Sequence, residues 1–132
     1  MRTETVLDRR RTRQRELLDF ARRFAEGIDA ELGVRAVVVF GSVARGDFNQ
    51  WSDIDVLIIA EGLHGRLLER LDRLGWRLPL VRPIPWTPAE WEIEVRRGNP
   101  IAREALESGV WLVGSAAELP GPIGPPSSET RG

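Results

Sequence analysis

The chain has 132 residues, 42% of them hydrophobic, with 19 basic against 20 acidic side chains for a net charge of -1; this is one domain's worth of core and argues against nucleic acid binding driven by bulk charge. There is no cysteine, which excludes disulfides and thiolate metal sites. The apolar runs are far shorter than a membrane span and the N-terminus lacks a signal-peptide stretch, so a cytoplasmic location is expected.

In chain order, residues 5–32 read as one long helix, with Leu17, Leu18, Ala21, Phe24, Ala25, Ile28 and Leu32 on an apolar face at helical spacing. Residues 1–16 form its arginine-rich extension, which has little to bury and is expected to project or fray as a solvated or partner-facing segment. Gly33 ends the helix. Residues 35–40 are a β-branched and aromatic run closed by Gly41, which predicts a buried strand entering a tight turn. A short helix is expected over 42–46 and a second strand over 53–60. Leu63, Leu67, Leu68, Leu71 and Leu74 mark an amphipathic helix ending at Gly75. The third strand, 77–86, holds three prolines, which make it an edge strand or an irregular one. Thr87-Pro88-Ala89-Glu90 is a capping box with proline first in the helix, Asn99-Pro100 repeats the start signal, and 110–113 is a last short strand. From 114 to 132 the Gly, Pro, Ser and Glu composition predicts a disordered tail, leaving 17–113 as the folded domain.

The candidate chemistry lies between the first two strands. Gly41 lets the backbone approach a ligand closely, and Ser42 adds a hydroxyl and an amide at a helix start that favours an anion. Asp53 and Asp55 are one residue apart, so strand alternation puts both on one face, with Ile54, Val56 and Ile58 on the other. Neighbouring carboxylates resist joint ionisation unless a cation sits between them, and oxygen ligands of this kind suit Mg²⁺ bound together with phosphates. Arg45 is open to two readings, a phosphate ligand or a cap on the sheet. Trp51 stands just ahead of the acidic pair, either packing or stacking on a base or a partner. His64, the only histidine, reads as a surface or cap residue.

Gly41-Ser42, Arg45-Gly46 and Ser52-Asp53-Ile54-Asp55 resemble the signature of the minimal nucleotidyltransferases, small relatives of the DNA polymerase β superfamily. The likeness runs from about residue 17 to 113, and Asn99-Pro100 with Glu107-Ser108-Gly109-Val110 resembles the end of that domain. The resemblance implies an α/β (α+β) fold, a small mixed sheet flanked by helices, with a site for Mg²⁺ and ATP. It implies that Gly41 and Ser42, with Arg45 and Ser52, hold the nucleotide, and that Asp53 and Asp55 ligate the metal and serve catalysis. The activity implied is transfer of AMP from ATP to a hydroxyl of a partner protein. Members of the family are commonly paired with HEPN-domain toxins, which implies an antitoxin role.

One departure qualifies this. Such enzymes usually carry a third carboxylate on a later strand, and counting back from Thr87 its place falls on Arg82. An arginine there would pair with a phosphate or with Asp53 or Asp55, and would partly replace one metal. A degenerate module that holds its partner without transfer is therefore the alternative; modification of a small molecule such as an aminoglycoside ranks behind both. Glu92 and Glu94 read as the solvated face of the next helix. Short sheets with exposed edges leave homo-oligomerisation open.

Overall fold

A computed structural model describes residues 5–75 and 79–120. Its centre is a four-stranded mixed sheet in the order β3-β2-β1-β4, built from β1 (Val34–Phe40), β2 (Ile54–Ala60), β3 (Val81–Trp86) and β4 (Val110–Val113). β1 pairs antiparallel with β2 and with β4, while β2 and β3 are parallel. Five α-helices accompany it: α1 (Val6–Glu26), α2 (Gly41–Arg45), α3 (Leu67–Leu74), α4 (Pro88–Arg97) and α5 (Pro100–Ser108).

The period of two along a strand decides what each face buries. Val37 and Val39 of β1 and Ile54, Val56, Ile58 and Ala60 of β2 pack with Leu17, Ala21 and Phe24 of α1 and Leu74 of α3. Ala36, Val38, Phe40, Leu57 and Ile59 face the other way, against Trp91 of α4 and Ala102 and Ala105 of α5. Both central strands are thus covered on both sides, which is why they read as unbroken apolar runs. The mixed sheet flanked by helices is the architecture expected, and β3, with Pro83 and Pro85, lies at an edge.

Three stretches differ from expectation. The first helix stops at Glu26 instead of running to 32, because Gly27 caps it and Asp29 opens a separate 3-10 turn, Ala30–Leu32, that buries Leu32. The arginine-rich extension is continuous with α1 and reaches inward: Arg10 Nη1 donates to the Phe48 carbonyl at 2.6 Å, and Gln14 Nε2 to that of Val43 at 2.7 Å. Those long polar side chains attach the first turns of α1 to α2 and to the loop that follows it, with Arg10 also stacked over the Phe48 ring. Residues 114–120, expected to open a disordered tail, carry a 3-10 turn at Ala116–Glu118 and bury Leu119 in the α4–α5 layer. The rest of that tail, 121–132, and the start of the expected third strand lie outside the described residues. Among the described residues no helix is long and apolar enough to cross a membrane.

Candidate functional site

Because β1 and β2 are antiparallel, the end of one lies beside the start of the other, and Phe40 stands opposite Asp55. The next residue, Gly41, has φ +77°, where L side chains are strained. A Cβ at that position would stand only 2.5 Å from Asp55 Oδ2. Glycine is therefore required twice here, by the backbone angle and by the carboxylate packed over it. The chain coils at once into α2, whose Ser42 carbonyl accepts from the amides of Gly46 at 2.8 Å and Asp47 at 3.1 Å. The turn and the second strand, separate motifs in the sequence, meet at this point.

Asp55 shares its face of β2 with Leu57 and Ile59, and its side chain is only 14% exposed. On the neighbouring parallel strand Arg82 is in register with it, and Arg82 Nε donates to Asp55 Oδ1 at 2.8 Å. Burial is the main influence on this carboxyl and pushes it above the usual aspartate range; Arg82 opposes the shift, while the charges of Asp53 and Glu104 add to it. Burial wins because Arg82 is 66% exposed, so water screens most of its charge. Asp53 lies immediately before β2 and is exposed. The start of β3 is fastened beside the pair, since Ile54 N donates to the Leu80 carbonyl at 2.6 Å, and Leu80 holds φ +77° to present it.

Other candidates occupy different places. Arg45 is taken by two carboxylates, Nε with Asp47 at 3.1 Å and Nη1 with Glu104 at 2.7 Å, and the Asp47 hydrogen bond is the main reason its guanidinium is held above its ordinary pKa. It links α2 to α5. Ser52 closes a local turn, its hydroxyl accepting from Asn49 N at 3.0 Å. It also lines a cleft of about 330 Å³ with Arg9, Arg10, Phe48 and Leu80. Trp51 is 81% exposed, outside the core. His64 lies exposed in the turn before α3. Glu92 pairs with Arg96, and Glu94 accepts from Asn99 and Arg97, away from the acidic pair.

Asp53 and Asp55 supply carboxylate oxygens of the kind a hard divalent cation takes. Asp55 is a half-buried carboxylate only partly compensated by Arg82, and Asp53 stands one residue away, a combination that suits Mg²⁺ completed by phosphate oxygens. Among the described residues no group of three or more His, Cys, Asp or Glu side chains is placed to hold a metal ion. Glu104 is the residue that the sequence did not single out. It meets Arg45 from α5, 59 positions away, and nothing local marks such a contact.

Residues 21–112 match the family of nucleotidyltransferase domains. A candidate nucleotidyltransferase from Sulfolobus solfataricus superposes with a TM-score of 0.57 at 24% identity, over 77% of this chain and 84% of that one. A toxin-antitoxin structure with AMP-PNP gives 0.46 at 16% identity over 72% and 74%, and a candidate minimal nucleotidyltransferase gives 0.36 at 28% over 83% and 98%. No curated protein matches at the same level of significance.

Proposed function

Because the chain belongs to the nucleotidyltransferase domain family, we propose that it transfers a nucleoside monophosphate, AMP from ATP, to a hydroxyl of a partner protein. The observation that carries this reading is the packing of Asp55 Oδ2 over Gly41, which joins the glycine-serine turn and the acidic strand into one site. Gly41 makes room for the Asp55 carboxylate beside the turn, and Ser42 would hold the β and γ phosphates with its hydroxyl and amide. Asp53 and Asp55 would hold one Mg²⁺, which when bound neutralises charge on the phosphates. In the transfer the acceptor oxygen bonds to the α phosphorus, the bond to the β-phosphate oxygen breaks, and the acceptor proton leaves with pyrophosphate as the other product.

The acceptor we place on an HEPN-domain toxin, with this chain as its cytoplasmic antitoxin and the first turns of α1 as a contact; the resemblance of the sequence motifs supports that choice. A second reading, a module that holds its partner without transfer, is favoured by one feature, the occupation of Asp55 Oδ1 by Arg82. Calorimetric titration of ATP with Mg²⁺ separates the two from a lost site. Binding that needs Mg²⁺ and disappears in Asp53→Asn/Asp55→Asn is expected. Binding that is unchanged in the double variant, or absent from both proteins, would remove the nucleotidyl-transfer reading; labelled AMP on the partner then distinguishes transfer from holding.

A further inference from the structure

We propose that Arg82 stands in for a second cation, so that the site takes one divalent ion and uses the outer guanidinium nitrogens of Arg82 to grip the nucleotide's phosphates. This rests on the nucleotidyl-transfer reading above and specifies its metal count. The two oxygens of Asp55 look in different directions: Oδ1 accepts from Arg82 Nε at 2.8 Å on the β3 side, while Oδ2 lies over Gly41 on the β1 side. Arg82 takes up one acceptor position on Oδ1, while Oδ2 has no hydrogen-bond partner among the described residues, so Oδ2 is the oxygen most open to a metal. Two ions side by side need more carboxylate than Asp53 and Asp55 supply, and among the described residues no third acidic ligand joins them. The parallel register of Asp55 with Arg82 makes the pairing a property of the sheet and not of a mobile loop. Arg82 uses only Nε on Asp55; among the described residues its outer nitrogens have no other partner, and the side chain is 66% exposed. That leaves the outer guanidinium nitrogens exposed beside Asp55, with donors that phosphate oxygens accept.

The test counts Mn²⁺ by electron paramagnetic resonance during titration in the presence of an ATP analogue with a methylene α,β bridge. The unmutated chain should bind one Mn²⁺, and Arg82→Asp, which exchanges the guanidinium for a carboxylate, should bind two. Arg82→Gln should keep one Mn²⁺ but bind the analogue about tenfold more weakly, as expected for losing a charged hydrogen-bonding partner of the phosphates. The residue is exposed on an edge strand, so both variants should fold, which circular dichroism would verify. Two ions in the unmutated chain, a single ion in Arg82→Asp, or undiminished analogue affinity in Arg82→Gln would each overturn the proposal. No Mn²⁺ and no analogue bound by the unmutated chain would instead overturn the nucleotidyl-transfer reading on which it rests.

Discussion

The two faces of the sheet are closed by different chemistry although the same two strands supply both. On the α1 side the contributors from β1 and β2 are apolar throughout: Val37, Val39, Ile54, Val56, Ile58 and Ala60. On the α4–α5 side the layer is built around Trp91, whose ring lies 6.4 Å from that of Trp86 and meets Trp111 edge-on at 6.0 Å. The register that turns Leu57 and Ile59 into that layer also sets Asp55 at its open end. Ile54 and Asp55 are chain neighbours, yet one anchors the first layer and the other carries the site. A single step along a strand thus separates packing from chemistry. The second face also holds the less comfortable groups: the half-buried Asp55 carboxyl, and the Trp91 indole N–H, which has no hydrogen-bond partner among the described residues.

Truncation at the centre of each layer should have the largest effect. Trp91→Ala should lower stability by about 3–5 kcal/mol and Ile58→Ala by about 2–5 kcal/mol, measured by chemical denaturation. If Trp91→Ala cost less than about 1 kcal/mol, the α4–α5 side would not be a packed layer at all and the contrast between the faces would vanish. Next comes the junction of strand and turn. Gly41→Ala should destabilise by about 1–2 kcal/mol from its left-handed backbone alone, and the new Cβ would displace Asp55 Oδ2 as well. A loss of nucleotide affinity larger than the loss of stability is therefore expected in calorimetry; an equal or smaller loss would mean that Asp55 and Gly41 do not bound a common site.

How much of this the sequence disclosed follows from the range of the forces involved. Local signals carried through: the capping box at Thr87 is formed by reciprocal bonds with Glu90, and Asn99 caps α5. The alternation of Asp55 against Ile54, Val56 and Ile58 was also visible, because a period of two needs no knowledge of partners. What stayed hidden depends on contacts across the chain. The contact of Arg45 with Glu104 of α5, far off in the chain, had no local mark. The first turns of α1, poor in apolar residues, suggested a projecting arm; only the carbonyls of Val43 and Phe48 explain why Gln14 and Arg10 hold it down. Leu119 was hidden in a stretch whose composition promises no core, since a single leucine makes no period.

The smallest expected effects are the most telling about the faces, because two carboxylates should respond to pH with opposite signs. Glu90 is held below the usual carboxylate range, chiefly by hydrogen bonds from Arg70, whose Nη1 and Nη2 meet its oxygens at 2.6 and 2.9 Å. Its contribution is present above the unfolded pKa and is lost as pH falls through the folded one. With Glu90 38% exposed, water screens the pair, and Glu90→Gln should cost no more than about 1 kcal/mol at neutral pH, shrinking toward zero in acid. Asp55 is the reverse case: its folded pKa is raised, so its carboxyl favours the folded state below the unfolded pKa and that contribution is lost as pH rises through the folded one. Asp55→Asn should therefore raise the melting temperature at pH 7, while abolishing metal-dependent nucleotide binding, and the gain should vanish below a pH of about 3, where both forms are neutral. Arg82 loses little in this exchange because it is largely solvated already. A lower melting temperature at pH 7 would show instead that the Arg82 pair outweighs burial, and that the second face carries its carboxylate at no cost to stability.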